Sequence, residues 1–388
     1  MAEPHSTMPG SPDTPGSPSR RRFLRITAVG TTAAATGLAA IPAADALTSF
    51  IHPGVLHKLS DIQRMKTRIA AGTEPWLSGW NVFKANAYSQ SAYAMMGPLT
   101  TIDRGTTEIG NWEFWNDCNA AYQNALMWNL TGTTAHATKA LQIIKAWSST
   151  LTSITGKDAQ LAASIYGFKL AAAAELLRYT APSGSWSAAE ITQTENLFRY
   201  VFVPLVNTFG DAGWGTNCIK AMMAFGVFCN DTSLYNAAVD AFHLHDCCKI
   251  SRVIRDTGQC VDSGRDQAHT QLILGSMAEA CEIAWVQGQD LYSASSNRLL
   301  AGFEYTAKYN TGNDVPYTVW GSCQLTFNSI STIERGNLRP IYEMAFNHYV
   351  KRRSLPAPWT YAAIGNISPE GAAFQCDHVG FGTLLFTL

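Results

Sequence analysis

The sequence predicts an all-α chain, an α/α toroid or incomplete α/α barrel with a few short strands. Three observations point there. From Leu56 onward, apolar residues recur at the 3.6-residue spacing of amphipathic helices, in segments punctuated by Gly, Pro, Asn and Ser. No low-complexity linker divides these segments. No repeat of fixed period is present, which argues against an extended solenoid and for helix pairs closed around a common axis. In such a toroid the inner helices and their loops line a cleft at one end.

The amino-terminal region stands apart. Residues 1–18 are rich in Pro, Ser and Gly without apolar period, the composition of a disordered leader. "SRRRFLR" (Ser19 to Arg25) follows, then an Ala/Thr-rich apolar run and "AADA" (Ala43 to Ala46). Paired arginines, a weakly hydrophobic core and a small-x-small end read as a twin-arginine signal, with cleavage near Ala46 and a secreted or periplasmic destination. The run is too short and too Ala/Thr-rich for a stable membrane span, and no later segment qualifies. Residues 1–46 are therefore leader and signal, and 47–388 a single toroidal catalytic domain.

Within 47–388 the helical segments are "LSDIQRMKTRIAAG", "NDCNAAYQNALMWNLTG", "TAHATKALQIIKAWSS", "DAQLAASIYGFKLAAAAELLRYT", "SAAEITQTENLFRYVFVPLVNTF" and "SLYNAAVDAFHLHD". Start signals recur at Ser60-Asp61, Asn116-Asp117, Ser187 with Glu190 as a capping box, and Asp231. Roughly ten to twelve helices result. "CKISRVIRD" and the tail "FQCDHVGFGTLLFTL" alternate weakly and are the candidates for short hairpins.

Residues 1–46 hold four Arg and three acids, so removing them leaves 24 basic and 26 acidic residues from the 28 and 29 of the full chain. A net charge near −2 excludes a general nucleic-acid footprint, and a polyanionic ligand must be met by a few placed cations. The nine cysteines show no paired C-x-x-C zinc spacing; reduced, buried thiols are expected, with Cys218, Cys229 and Cys281 in helical core positions. In "HLHDCC", His243 and His245 point in different directions on a helix, so no metal site is assigned. The sequons at Asn129, Asn230 and Asn366 carry little weight behind a bacterial export signal.

Three segments share a polar design. "GDAGWGTNCIKAMMAFGVF" starts a helix near Thr216 and puts Asn217 at the head of a stripe of small residues, Ala221 and Ala224, that leaves open space. "DSGRDQAHTQLILGSMAEACEIAW" (Asp262 to Trp285) places Arg265 and His269 four apart, with Gln267 between them, at the start of an inner-type helix. "NRLLAGFEYTAKYN" spaces Arg298, Gly302, Tyr305 and Tyr309 along one face, with Gly302 opening a gap. A lone Tyr or His on a helix is more often a satisfied core residue than a catalyst. Together, however, these groups need each other or a ligand.

Asn, His, Arg and Tyr, without a nucleophilic Ser or Cys and without a metal, suit abstraction of a weakly acidic proton beside a carboxylate. Uronic-acid polymers carry such a proton at carbon 5. Its removal loads charge onto the carboxylate, which Asn, protonated His or Arg must neutralise. A base takes the proton and an acid delivers one to the departing oxygen on carbon 4. Where both lie on the same side of the ring, as in mannuronate and glucuronate, one Tyr can serve for both, and a nearby Arg or His⁺ lowers its pKa.

"HPGVLHKLSDIQRMKTRIAAGTEPWLSGW", "GQCVDSGRDQAHTQLILGSMAEACEIAW", "NRLLAGFEYTAKYNTGNDVPY" and "RPIYEMAFNHY" resemble the alginate-lyase-like proteins, most closely polysaccharide lyase family 38 of glucuronan and alginate lyases. The resemblance runs from about His52 to the C-terminus. It implies an α/α toroid and metal-free β-elimination with no cofactor, a Tyr acting as base and acid, and an Asn/His/Arg group on the carboxylate. Carried over residue by residue, Tyr305 matches the catalytic Tyr and Arg298 an Arg seven positions before it. His269 and Asn217 match the His and Asn. In the related alginate lyases of family 5 the Asn and His are adjacent; no such pair precedes Tyr305 here, and His243 and His245 are the reserve candidates.

Trp112, Trp115 and Trp214 sit beside Gly or Asn at loop–helix junctions, where flat rings can stack on sugars. Arg265, Lys308, Gln267, Tyr309 and His378, in the polar turn "CDHVGFG", complete the candidate substrate contacts. The expected partner is an acidic polysaccharide, met by a monomer, with no nucleic acid and no membrane after signal cleavage. Two rivals remain. A glycoside hydrolase on a similar toroid needs two carboxylates, for which Asp262, Asp266, Glu279 and Glu304 are available. A non-catalytic carbohydrate-binding protein would keep the Trp residues and Arg298 but tolerate loss of Tyr305.

Overall fold

In the computed structural model, residues 46–372 and 377–388 are described, and eleven of their helices run ten residues or longer. These are α1 (Leu59–Ala70), α2 (Trp76–Ala85), α3 (Asn111–Thr131), α4 (Thr134–Thr150), α5 (Gly167–Thr180), α6 (Ala188–Leu197), α7 (Ala212–Phe228), α8 (Thr232–Leu244), α9 (Gln267–Val286), α10 (Ala294–Asn310) and α11 (Pro358–Ile367). The twin-arginine segment and the AADA motif up to Asp45 lie outside the described residues. No helix among the described residues is long and apolar enough to cross a membrane.

The packing is that of an α/α toroid. Helices α3, α5, α7 and α9 pack on one another in that order, while α4 covers α3, α8 covers α7 and α10 covers α9. The inner helices are buried on nearly every side. In α7 only Trp214 reaches partial exposure, which matches a helix apolar all round rather than striped. The Ser187–Glu190 capping box opens α6 and Asp231 caps α8, where the sequence placed them. Helix α3 begins at Asn111, five residues before the Asn116-Asp117 signal, because Gly110 in the left-handed region ends the preceding loop. Helix α7 likewise starts at Ala212, ahead of Thr216.

Strands are few and differ from those expected. Thr101–Asp103 pairs in parallel with Ser153–Thr155, and Trp320–Gly321 pairs with Thr326–Phe327. "CKISRVIRD" yields a helical turn, Ile250–Val253, and one antiparallel bridge from Ile254 to Cys260. In the tail, Gly382–Leu385 is helical, and residues 373–376 lie outside the described residues.

The expectation of reduced thiols is corrected at one pair. Cys247 and Cys323 form a disulfide, while Cys118, Cys218, Cys229, Cys248, Cys260 and Cys281 are free and buried. At the carboxyl-terminal end two buried carboxyls face each other. Glu370 accepts the backbone N–H of Tyr342 at 2.8 Å, and Glu343 accepts the Thr383 hydroxyl at 3.1 Å. Burial, with Glu343 beside it, pushes the Glu370 carboxyl up to about 8.

Candidate active site

Six stretches of the chain meet around a cleft of about 690 Å³. The loop after Thr101–Asp103 supplies Arg104 and Glu108, and the first turn of α3 supplies Asn111, Trp112 and Trp115. Asp158 and Tyr166 come from the chain leading into α5, and Ala268, His269 and Leu272 from the first turns of α9. Glu334, Asn337 and Arg339 form one rim, and Asp377 and His378 another part of the lining.

Local structure explains why these side chains arrive together. Pairing of Thr101–Asp103 with Ser153–Thr155 draws Arg104 beside the 156–158 turn, where the Arg104 N–H donates to the Thr155 carbonyl at 3.0 Å. Gly156 holds φ at +92°, and a Cβ there would stand 2.2 Å from the Arg104 carbonyl oxygen, so only glycine permits the approach. Residues Ala162–Tyr166 form a π turn ahead of α5. A π turn shifts the residues after it off the α-helical register, and Tyr166 ends this one at the cleft wall.

Tyr166 is buried, with the Arg104 guanidinium 5.2 Å from its ring centroid and the Trp115 ring 6.4 Å away. Burial pushes its hydroxyl up to about 12, against the lowering influence of Arg104 and of the Asn111 side chain that hydrogen-bonds to it. His269 donates from Nδ1 to Asp266 Oδ2 at 2.6 Å, and its backbone N–H donates to Asp266 Oδ1 at 2.7 Å. Asp266 thus caps α9 and orients the imidazole at once. Burial alone would raise the Asp266 carboxyl; the bonds from His269 hold it below the ordinary range. The rim is tied to α9 by Gln271, which accepts the Arg339 N–H at 2.8 Å and donates to the Asn337 carbonyl at 3.0 Å.

Ten buried side-chain polar atoms among the described residues have no hydrogen-bond partner, and four of them gather at the cleft. Arg104 Nη1, Asn111 Oδ1, Trp115 Nε1 and His378 Nε2 are buried without a partner, and all four residues line this one space. Buried polar atoms in folded proteins are nearly all partnered, so four around one cleft mark a place for a polar ligand. Trp112, 43% exposed, meets Trp115 edge-on with ring centroids 5.0 Å apart, giving the cleft an aromatic wall. Carboxylates line it as well. Glu108 accepts from Gly105 N and Asn111 Nδ2, and Glu334 accepts from Asn337 Nδ2 and Arg339 Nη2. Asp158 and Asp377 complete the acidic set.

Of the residues proposed from the sequence, His269, His378, Trp112 and Trp115 lie in the cleft lining. Arg265 precedes α9 instead of sharing a helical face with His269; it joins it through Asp266, at 3.7 Å. The others lie elsewhere, each with a partner or packing of its own. The Tyr305 hydroxyl donates to the Pro316 carbonyl at 2.7 Å, and burial raises its pKa well above that of a free phenol. Arg298 donates to the Ile254 carbonyl at 3.1 Å. The gap expected at Gly302 is filled, since a Cβ there would stand 2.8 Å from Leu274 Cδ2 and 2.9 Å from Ile254 Cδ1. Tyr309 lies under the Arg335 guanidinium and Lys308 over the Trp359 ring.

Asn217 is fully buried, donating to the Gly213 carbonyl at 2.7 Å and accepting from Ser276 at 2.9 Å; the small-residue stripe beside it, Ala221 and Ala224, is packed shut. Gln267 is buried and ties the Ser263 and Ser331 carbonyls to α9. Trp214 packs near Gly210 and lies outside the cleft lining, as do the reserve histidines His243 and His245. Arg104, Asn111, Tyr166 and Arg339 were missed. "DRG" at 103–105 and "GNW" at 110–112 were the available signals, each too short to read without the fold.

An α/α toroid with an aromatic-walled, polar cleft at the ends of its inner helices suits a polysaccharide chain, and the family match makes the class a polysaccharide lyase. The chain belongs to the alginate lyase family, whose model matches residues 111–315, more than half of its length. Among solved structures it is similar to an alginate lyase from Bacteroides ovatus, at 12% identity over 87% of this chain and 100% of that one, with a TM-score of 0.58. It is also similar to alginate lyase A1-III from Sphingomonas species A1, at 13% identity over 88% and 98%, with a TM-score of 0.64. A variant of A1-III complexed with a tetrasaccharide gives the same TM-score and identity, over 88% and 97%. No curated protein matches by sequence.

Proposed function

We propose that this chain is an exported lyase that cleaves a 1,4-linked polyuronate, glucuronan or alginate, by β-elimination in the described cleft, and that its place is with polysaccharide lyase family 38. The observation that carries the reading is the set of four buried, unpartnered polar atoms around one cleft.

Elimination loads charge onto the uronate carboxylate as the carbon 5 proton leaves. Arg104 and Arg339 supply fixed cations, Asn111 an amide, and His269 a ring nitrogen backed by Asp266, so donors stand ready before charge develops. Tyr166 takes the role expected of a phenol. With its pKa at about 12 it keeps its proton at neutral pH, which suits delivery to the departing oxygen on carbon 4. Trp112 and Trp115 offer ring faces to pyranose units. Tyr305, Arg298 and Asn217 serve the interior instead.

The test uses purified residues 47–388 with glucuronan, alginate blocks and a neutral glucan. A rise in the ultraviolet absorbance of the carbon 4–carbon 5 double bond on one polyuronate supports the lyase and names its substrate. Asp158 and Asp377 would serve hydrolysis, so new reducing ends without that absorbance would move the reaction to them. For export, Arg20→Lys with Arg21→Lys should retain a reporter fused to residues 1–46 inside the cell; unchanged secretion would refute the signal.

A further inference from the structure

Outside the cleft lining, a second surface brings cationic and aromatic side chains together. Arg252, in the helical turn Ile250–Val253, and Arg255, just after it, both reach the Trp320 ring, with guanidinium carbons 5.5 and 5.4 Å from its centroid. All three residues are half-buried, and Val319 beside Trp320 is exposed. None of them lines the cleft.

Both sides of this contact are held from behind. The Arg255 N–H donates to the Gln259 carbonyl at 2.9 Å. The buried Gln259 side chain accepts the Thr318 N–H at 2.9 Å and donates to the Thr318 carbonyl at 2.8 Å, which ties the arginine turn to the strand of Trp320. Trp320 pairs with Phe327 across the hairpin. The hairpin turn is fastened by the Cys247–Cys323 disulfide and by Asp211, which accepts the N–H groups of Cys323 and Gln324 at 3.0 and 3.1 Å. A surface fixed in this way loses little freedom when a ligand settles on it.

Charge is left over there. Two guanidinium groups drawn to one ring repel each other, and among the described residues no carboxylate lies within 4.0 Å of either. The acids on the neighbouring elements are engaged elsewhere. Asp246 meets Lys249 at 3.4 Å, Asp211 holds the two hairpin N–H groups, and Asp256 accepts the Thr257 N–H at 3.0 Å. An anion supplies what is missing. Guanidinium forks match a planar carboxylate, and an indole face takes the apolar face of a pyranose. A carboxylate and a sugar ring in one unit make a uronate.

We propose that Arg252, Arg255 and Trp320 form a second, non-catalytic site for a uronate unit of the polymer, which holds the chain to the enzyme while another stretch of it occupies the cleft. This rests on reading the protein as a polyuronate lyase. Two weak attachments on one chain act together, so the gain falls on long polymer.

Affinity electrophoresis reads the site directly, in cold gels containing glucuronan, alginate or the same polymers with their carboxyls reduced. In Arg252→Gln with Arg255→Gln, the apparent Kd for the polymer that retards wild type should rise roughly tenfold. Trp320→Leu, which keeps an apolar side chain in the hairpin, should weaken retardation in the same direction. Equal retardation of wild type and the double variant overturns the proposal, and so does wild type retarded as strongly by the carboxyl-reduced polymer. In elimination kinetics on long polymer, the double variant should raise KM about fivefold with kcat within about twofold. A fall in kcat with KM held would put the two arginines in the reaction itself and overturn the proposal. Retardation that depends on both arginines, in a protein that eliminates on no polyuronate, would refute the lyase reading and uphold the site.

Discussion

Tyr166 and Tyr305 are both buried tyrosines on helical segments, yet their surroundings are opposite. The Tyr305 hydroxyl has a backbone acceptor at 2.7 Å, its helix face is closed by Leu274 and Ile254, and Arg298 one turn-pair earlier is bonded to the Ile254 carbonyl. Tyr166 borders open space together with Arg104, Asn111, Trp115 and His378, each with a polar atom that has no partner. The lesson is that a polar helix face becomes a site only where its hydrogen bonding is left unfinished. Fully bonded interior polar groups hold the fold; of the ten unpartnered buried atoms among the described residues, the four gathered at one cleft are the ones placed to meet a ligand.

The contrast can be tested from its strong end downward. Tyr166→Phe should lower kcat by roughly 10²–10⁴-fold with little change in melting temperature, since it removes the proton donor and leaves the ring packing intact. Arg104→Ala removes a preorganised donor and should cost about 10²-fold in kcat/KM; a loss below threefold would take Arg104 out of charge neutralisation. Trp112→Ala should raise KM about tenfold, equivalent to about 1.4 kcal/mol, while kcat holds. Tyr305→Phe should leave kcat and KM within about twofold and destabilise the protein by about 1 kcal/mol, the worth of one hydrogen bond, measured by urea unfolding.

The smallest effect on activity belongs to Glu370. Its carboxyl is raised in the folded protein from the ordinary glutamate range to about 8, so the folded state holds a proton that the unfolded state releases. Its contribution to stability is therefore complete below the unfolded glutamate pKa and is lost as pH rises through about 8. Melting temperature should fall between mildly acidic and alkaline pH, and Glu370→Gln should flatten that slope without altering elimination kinetics. An equal slope in both proteins would remove Glu370 as its source.

Much of the fold was legible because helices announce themselves locally. The capping box at Ser187, the cap at Asp231 and the apolar spacing of α1 and α4 all read directly from neighbouring residues. The cleft was legible only in part. His269 could be found because it shares a short polar run with Asp266, its partner in the fold, and Trp112 and Trp115 because they follow a glycine at a helix start. Tyr166 could not, since a π turn inside an apolar, alanine-rich segment leaves no mark in the spacing. Arg104 is placed by a three-residue parallel pairing across some fifty positions, and His378 by a glycine about a hundred residues before it in the chain. Tyr305 lies outside the cleft lining, and its acceptor, the Pro316 carbonyl, is a backbone atom that no side-chain pattern reveals.

The most direct measurement compares wild type, Tyr166→Phe and Tyr305→Phe side by side on the polyuronate that the wild type cleaves, following the absorbance of the unsaturated product. The account predicts that Tyr166→Phe all but loses that signal while Tyr305→Phe keeps it. Loss in Tyr305→Phe with Tyr166→Phe active would contradict it, and would return the chemistry to the helix face that the sequence first suggested.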